Sequence, residues 1–201
     1  MGLLSRNATF VRYSVEGELP GKFWEFAAER IAQYAFQDID DTFDEYSIGW
    51  VSIDNMFDSS FAHVSYAVGD YIVLSLRIDE RKVSKTLLQK FSLKEEERLK
   101  KEKQIPRINR SQRVRIKEDV RLQLVKKSLP LPSVYDLCWN LADNTVLFFS
   151  ISTKAQSVLE DFFKECFGVT IMLQVPYLAA AHLLDVSQQE RLQELHPDIF
   201  V

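Results

Sequence analysis

The chain has 201 residues, 46% of them hydrophobic, and a formal net charge of -4. This length and apolar content suffice to bury one sizeable core, which excludes a disordered chain, and the 6 glycines and 6 prolines exclude a collagen-like or low-complexity one. Two cysteines cannot build a disulfide framework, and no apolar run reaches the roughly 20 residues of a membrane span, so we expect a cytoplasmic protein outside the membrane.

Residues 1–80 combine strand-like alternation with one amphipathic helical pattern. The helical pattern opens at Pro20 and places Phe23, Ala27 and Ile31 on one face. We therefore predict an N-terminal α+β unit over this range. Its predicted elements are the strand TFVRYSV (9–15), the helix PGKFWEFAAERIAQYAF (20–36), the strand IGWVSI (48–53), and the strands AHVSYAV (62–68) and YIVLSLRID (71–79) joined by a turn at Gly69-Asp70.

Residues 81–129 change to a helical pattern that is rich in basic side chains. Two consecutive helices are predicted with a break at Ile105-Pro106, because a residue that precedes proline disfavours the helical conformation. The run SLKEEE indicates a capping box formed by Ser92 and Glu95. We expect this basic helical segment to join two α+β units.

Residues 130–201 return to a mixed pattern and are predicted to form the second α+β unit. Cys138 and Cys166 fall on its inward faces, where buried thiols are the usual outcome. The predicted fold class is α+β, with antiparallel sheets and packed helices. The elements are the strands SVYDLCWNL (133–141) and TVLFFSIS (145–152), the helix KAQSVLEDFFKECF (154–167), the strand VTIMLQV (169–175) and a polar tail (185–201).

Charge is distributed very unevenly along the chain. Residues 81–127 hold 17 Lys and Arg against 6 Asp and Glu, a local balance of +11, whereas the rest of the chain carries -15. An acidic protein with one strongly basic segment repels polyanions everywhere except at that segment. This pattern favours nucleic acid as the partner.

The second basic helix carries a stripe of cations. Arg110, Arg113, Lys117 and Arg121 recur at three- and four-residue spacing, while Val114, Val120 and Leu124 are predicted to face the core. Like charges at this spacing repel, so an external anion would stabilise the helix. The alternative is a passive, solvated face. Because no base-reading motif is present, we expect backbone contacts with double-stranded DNA, little sequence preference and strong salt dependence.

Two other function classes stay open. Asp70 followed after one strand by Glu80 and Lys82 resembles the Asp and Glu-x-Lys arrangement of a Mg²⁺-dependent nuclease, although a turn aspartate and a solvated strand end explain the same residues. The third class is a protein-interaction module whose basic helices dock on an acidic partner. The acidic stretch 38–45 lacks the glycine and glutamate of a calcium loop, and we assign no catalytic residue, metal ligand or cofactor.

The order of several stretches resembles the recombination-associated protein RdgC family. These stretches are AERIAQYAF (28–36), IGWVSI (48–53), LRIDERKVS (76–84) and WNLADNTVLFFSISTKAQSVLEDFF (139–163). The resemblance spans about residues 1–177, and its most specific pieces are Gly49-Trp50-Val51 and Ser152-Thr153-Lys154-Ala155. It implies a nucleoid-associated homodimer that encircles duplex DNA without sequence preference and restrains a recombinase.

The resemblance also points to Arg81 or Lys82, to Arg98 and to the stripe around Arg113 as residues that face DNA. Leu129 stands where family members carry an aromatic residue. The family continues with a further domain that helps to complete the ring, whereas this sequence ends at Val201, so we expect a different closure, an open clamp or a divergent relative with another partner. The candidate DNA-binding residues are Arg81, Lys82, Arg98, Lys101, Arg107, Arg110, Arg113, Lys117 and Arg121.

Overall fold

The computed structural model of this chain describes residues 2–185, 188–189 and 191. The chain forms helices and antiparallel strand pairs, which confirms the predicted α+β class. In chain order the elements are β1 (Val11–Glu16), α1 (Phe23–Gln33), β2 (Tyr46–Val51), β3 (Ala67–Val68), β4 (Tyr71–Glu80), α2 (Lys85–Lys103), α3 (Arg110–Lys127), β5 (Leu131–Asn140), β6 (Thr145–Phe148), α4 (Thr153–Phe167), β7 (Thr170–Leu173) and α5 (Pro176–Leu183).

The strands form one sheet in the order β2-β4-β5-β6-β1-β7, with β3 paired to β4. The pairs β1–β6, β1–β7, β3–β4 and β5–β6 are antiparallel, as predicted. Strand β1 lies between two partners, and its buried Tyr13 is opposite Val146 on β6 and Leu173 on β7. Burial raises the pKa of the Tyr13 hydroxyl, with a smaller contribution from Glu160.

The chain divides into two compact units whose parts are discontinuous in sequence. The first unit comprises Met1–Gln33, Phe61–Ser75 and Tyr135–Val201, and the second comprises Tyr34–Ser60 and Leu76–Val134. This division differs from the three consecutive segments 1–80, 81–129 and 130–201 that the sequence patterns indicated. The reason is that sheet pairing joins residues far apart in the chain, which a pattern read along the chain does not reveal.

The first unit is built around aromatic rings. Trp139 on β5 is fully buried, and its ring lies 5.2 Å from Phe23, 5.0 Å from Phe163 and 5.1 Å from Phe167, measured between centroids. All three contacts are edge-to-face, which is a favoured geometry for aromatic pairs. Cys166 is also fully buried, in agreement with the prediction.

Helix α4 has well-formed ends. The Ser152 hydroxyl accepts a hydrogen bond from the Ala155 amide, and Gly168 ends the helix with a φ of 72°, a left-handed conformation that glycine adopts without strain. Near that end, the Arg30 guanidinium of α1 donates to the main-chain oxygens of Glu165 and Cys166. A cation at this end of a helix satisfies free carbonyls and complements the helix dipole.

The second unit contains β2, the two basic helices and the loops around them. Beside β2, the Trp50 main chain exchanges hydrogen bonds with Tyr34 and Phe36 across a parallel bridge at Ala35. Arg77 on β4 is buried against Asp79, with nitrogen–oxygen distances of 2.9 and 2.7 Å. Hydrogen bonding to Asp79 raises the pKa of the Arg77 guanidinium, which therefore keeps its charge in the interior.

Two stretches differ from the sequence-based prediction. AHVSYAV contains a short 3-10 turn, Ala62–Val64, and only the two-residue strand β3. Helix α5 was not predicted, although Pro176 occupies its first turn, where proline is tolerated. The predicted polar tail, 185–201, lies largely outside the described residues.

Candidate nucleic-acid interface

Helices α2 and α3 form a hairpin in the second unit, and we call this segment, residues 85–127, the basic hairpin. Helix α2 follows Ser84 and ends at Gln104, whose amide donates to Lys100 and whose φ is 51°. The last turn of α2 is basic, with Lys100, Lys101 and Lys103 placed where the helix dipole favours cations. The predicted break between the two helices is confirmed.

A capping box begins α3, not the middle of the segment as SLKEEE had indicated. The Asn109 side chain accepts from the Gln112 amide, and the Gln112 side chain accepts from the Asn109 amide at 3.1 Å. Ser92 and Glu95 instead lie inside α2. The predicted box was wrong because Ser84 already starts the helix eight residues earlier, so the short Ser-x-x-Glu pattern carries no cap there.

A small apolar cluster holds the basic hairpin together. Ile108, Ile116 and Val120 are buried, and four further apolar side chains pack on them. The predicted core role of Val120 and Leu124 is confirmed, whereas that of Val114 is wrong, since its side chain is 51% exposed. Ile116, not Val114, is the α3 residue that packs into the cluster. The four packed residues are Leu88, Leu99, Ile105 and Leu124.

The predicted cations of α3 form an exposed line, which we call the α3 stripe: Arg110, Arg113, Lys117 and Arg121. At 3.6 residues per turn, Arg110, Lys117 and Arg121 lie within roughly 40° of each other around the helix. Arg113 lies roughly 60° to one side. The structure thus brings these four predicted residues onto one side of one helix.

The four cations of the α3 stripe differ in their ion pairs. Arg113 lies 3.4 Å from Glu96 of α2, and Arg121 lies 2.8 Å from Glu45. Among the residues that the structure describes, no carboxylate lies within 4.0 Å of the charged groups of Arg110 or Lys117. The middle and N-terminal part of the stripe therefore keeps two cations without an ion pair, exposed to solvent.

Arg98 and Lys101 lie on a different face of the basic hairpin. They line a groove of about 570 Å³ between the helices, together with Lys94 and Lys127. Its apolar floor includes Phe91, Val120 and Leu124. Arg98 is 2.6 Å from Glu95, and this hydrogen bond raises the pKa of its guanidinium.

Sequence reasoning missed two cations of this groove, Lys94 and Lys127. A signal for Lys94 was present, because Lys94, Arg98 and Lys101 follow the three- and four-residue spacing that aligns side chains on one helix face. Lys127 lies on α3, the other helix, and roughly 80° or more around it from Arg110, Lys117 and Arg121, so only the packing of the two helices brings it beside the cations of α2. The predicted cations are therefore divided between two faces.

Arg81 is not a surface residue. Only 6% of it is exposed, and its guanidinium donates to oxygens of the loop 39–44 and of the residue that ends α3. The prediction that Arg81 faces DNA was wrong, because all of these acceptors come from parts of the chain remote in sequence. The acceptors are the main-chain oxygens of Ile39, Asp40, Thr42, Asp44 and Ser128.

The remaining predicted cations, Lys82 and Arg107, are both exposed. Lys82 lies beside the C-terminal end of β4 and pairs with Glu80 at 3.0 Å. Arg107 lies in the connection between α2 and α3, three residues before Arg110.

The two carboxylates of the nuclease alternative, Asp70 and Glu80, lie at opposite ends of β4. Asp70 precedes β4 and Glu80 is its last residue, so at about 3.3 Å per residue the strand separates them by on the order of 30 Å. Both would have to approach Mg²⁺ to about 2.1 Å. The proposed metal pair was wrong for this reason. Within the described residues, no group of three or more His, Cys, Asp or Glu is arranged to hold a metal ion.

Comparison with known proteins does not assign this chain to a family. A scan against protein-family models finds no match, and a search of curated proteins finds none either. In the described part of the chain, no helix combines the length and the apolarity that crossing a membrane requires.

Proposed function

We propose that this chain binds double-stranded DNA without sequence preference through the α3 stripe, and that it does so without catalysis. The observation that carries the proposal is the solvent-exposed line of Arg110, Lys117 and Arg121 on a protein that is otherwise acidic. A local balance of +11 against -15 elsewhere directs a polyanion to this segment.

The ion pairs of the α3 stripe are compatible with exchange for phosphate. Glu96, the partner of Arg113, is only 15% exposed, whereas the Arg121 and Glu45 side chains are 53% and 41% exposed, so the Arg121–Glu45 pair remains in contact with water. Exposed pairs of this kind contribute only about 0–1 kcal/mol. Phosphate oxygens can therefore replace the Glu45 carboxylate at small cost.

The contact chemistry favours backbone recognition over base recognition. Long basic side chains on a helix surface fix a protein on the phosphates, whereas sequence is read by groups that reach base edges. The α3 stripe consists of cations alone. We therefore propose contacts to phosphate and sugar, with affinity that falls steeply as salt rises.

The RdgC resemblance extends the proposal to a biological role. We propose that the chain is a divergent member of that family, a cytoplasmic, nucleoid-associated homodimer that forms a ring or clamp and limits access of a recombinase to DNA. Leu129, which stands in place of the family's aromatic residue, is 79% exposed. An apolar residue in that position can contact sugars but offers no ring for stacking.

A second candidate function rests on the groove between α2 and α3. Its apolar floor of Phe91, Val120 and Leu124 beside Lys94 and Lys101 suits a protein segment with acidic and apolar side chains. Phosphate groups are charged and gain no binding energy from contact with apolar side chains. This candidate is an interaction module for an acidic protein partner.

Binding to a labelled mixed-sequence duplex, measured by fluorescence anisotropy over a range of salt concentrations, tests the proposal. The stripe variant is Arg110→Gln/Arg113→Gln/Lys117→Gln, and the control variant is Lys22→Gln/Lys154→Gln/Lys164→Gln, which removes the same charge outside the basic hairpin. Arg110 and Lys117 each lose a contact that contributes about 0.9, while Arg113 exchanges Glu96 for phosphate and contributes little, so the log–log salt slope of the stripe variant becomes shallower by about 1.8. The control variant should keep the wild-type slope.

A groove variant, Lys94→Gln/Arg98→Gln/Lys101→Gln, separates the two faces. We expect it to retain more DNA affinity than the stripe variant. Equal losses in the stripe and control variants would contradict the proposal, and so would Mg²⁺-dependent shortening of the duplex. For the ring or clamp, light scattering after size exclusion should give a dimer, and a monomer at micromolar concentration would contradict encirclement.

A further inference from the structure

An acidic loop, residues 38–45, contacts the C-terminal half of α3. The loop contains four aspartates and ends in Glu45, whose Oε2 lies 2.8 Å from Nη2 of Arg121. Five residues further along α3, the Lys126 ammonium lies 4.9 Å from the centre of the Phe43 ring, a cation–π distance. Two exposed cations of α3 are thus occupied by one loop of the same unit.

The loop is held through its backbone by Arg81, and within the loop the Asp38 and Asp44 carboxylates accept hydrogen bonds from Asp40 and Thr42. The buried Arg81 guanidinium donates to the main-chain oxygens of Ile39, Asp40, Thr42 and Asp44. The Arg81 amide donates to the main-chain oxygen of Glu45 at 2.9 Å. The same guanidinium also binds the oxygen of Ser128, which ends α3. Glu45 is therefore fixed opposite Arg121 by contacts that do not involve its own carboxylate.

The Glu45–Arg121 pair is accessible to a competing anion. The two side chains are 41% and 53% exposed, so neither is sealed from solvent. Arg110 and Lys117, toward the other end of the α3 stripe, have no such carboxylate among the described residues. The stripe thus has two cations without an ion pair among the described residues, Arg110 and Lys117, and two that already contact a carboxylate, Arg113 through Glu96 and Arg121 through Glu45.

We propose that the acidic loop 38–45 is an internal competitor for the polyanion, which weakens the contacts at Arg121 and leaves the first contacts to the unpaired cations Arg110 and Lys117. This inference rests on the proposed function and specifies how the same surface is regulated. A phosphate that binds Arg121 must displace the Glu45 carboxylate.

Counterion balance gives the competition a measurable signature. A phosphate bound to a solvated cation releases condensed counterions, which contributes about 0.9 to the salt slope. A phosphate that displaces Glu45 also leaves a carboxylate that attracts a cation from solution. The exchange at Arg121 therefore contributes little to the slope in the wild-type protein and its full share once Glu45 is neutral.

The test compares Glu45→Gln with Asp54→Asn in the duplex titration. Asp54 is an exposed acid of the same unit outside the loop, and its replacement changes the net charge equally. We expect Glu45→Gln to raise affinity roughly two- to fivefold, the range given by one exposed ion pair, and to steepen the salt slope by about 0.9. Asp54→Asn should give a smaller gain and the wild-type slope, because long-range charge is screened.

Arg121→Gln in both backgrounds provides a second route that does not depend on one variant alone. Its cost should be less than about twofold in the wild-type protein and should cancel the gain of Glu45→Gln in the double variant. Equal effects of Glu45→Gln and Asp54→Asn, or an equal cost of Arg121→Gln in both backgrounds, would overturn the role of the loop while leaving DNA binding intact. A wild-type protein with no affinity at the lowest salt would overturn the proposed function and this inference together.

Discussion

Helices α4 and α2 are both long, yet they relate to their surroundings in opposite ways. Of the 15 residues of α4, six are buried, among them Phe162, Phe163 and Phe167. Helix α2 has 19 residues and none of them is fully buried. One helix is stabilised by the apolar core of the first unit, and the other is stabilised chiefly through its neighbour α3 and its ends.

The comparison shows that residues that stabilise the fold and residues that are available for binding lie on different helices. Burial of an aromatic side chain contributes several kcal/mol but leaves no surface for a partner. A helix that buries little gives up that stabilisation and keeps most of its side chains in solvent. In this protein the cations lie on α2, which has no buried residue, and on α3, which has only three, so loss of their charges should change binding far more than folding.

The largest expected effect tests the aromatic half of this comparison. Trp139→Ala removes the ring that Phe23, Phe163 and Phe167 surround, and we expect the free energy of unfolding to fall by about 4 kcal/mol. Chemical denaturation followed by circular dichroism measures it. Trp139→Phe is the matched control and should cost less, since part of the ring volume remains. If the alanine variant lost less than about 1 kcal/mol of unfolding free energy, the Trp139 ring would not be a main source of core stability.

A smaller effect is expected where a charge, not an apolar group, is buried. Arg81→Met should lower the free energy of unfolding by about 3 kcal/mol, because buried carbonyl oxygens lose a charged donor that methionine cannot replace. Arg81→Lys should restore little, since one ammonium does not reproduce the planar fork of a guanidinium. Thermal unfolding of both variants measures this. Full stability of Arg81→Lys would mean that charge alone holds the loop.

The smallest effect concerns the ends of the basic helices. Asn109→Ala removes the capping box of α3 and should cost about 1 kcal/mol, with faster hydrogen exchange confined to the first turn of α3. Asn109→Asp keeps an oxygen acceptor and serves as the control. If the alanine variant exchanges at the wild-type rate, the packing of α3 on α2 must hold the first turn without the cap.

The sequence predicted the elements that follow from local pattern. Strands β1, β4 and β5 and helices α1 and α4 occur close to their predicted positions because their apolar periodicity is clear. The α+β class followed directly from that order. The wrong core role of Val114 has the opposite cause, since the apolar positions of α3 fit two phases of the helix and only the contact with α2 selects the one that buries Ile116.

The candidate interface was predictable only in part. Spacing along one helix aligned the α3 stripe, which is a local property. Arg81 and Lys82 are adjacent and chemically alike in sequence, yet one is enclosed by carbonyl oxygens and the other is exposed. That distinction depends on loop 39–44 and on Ser128, which lie tens of residues away along the chain. No local pattern encodes such a contact.

Gly49, in the strand beside the Ala35 bridge, has a consequence for how this sequence can evolve. A Cβ at this position would lie 2.3 Å from the Cα and 2.4 Å from the amide nitrogen of Phe36, and both are backbone atoms that cannot turn aside. Even alanine would push apart the hydrogen bonds that Trp50 makes with Tyr34 and Phe36. Any descendant that keeps this bridge must therefore keep glycine here, however far its charged helices diverge.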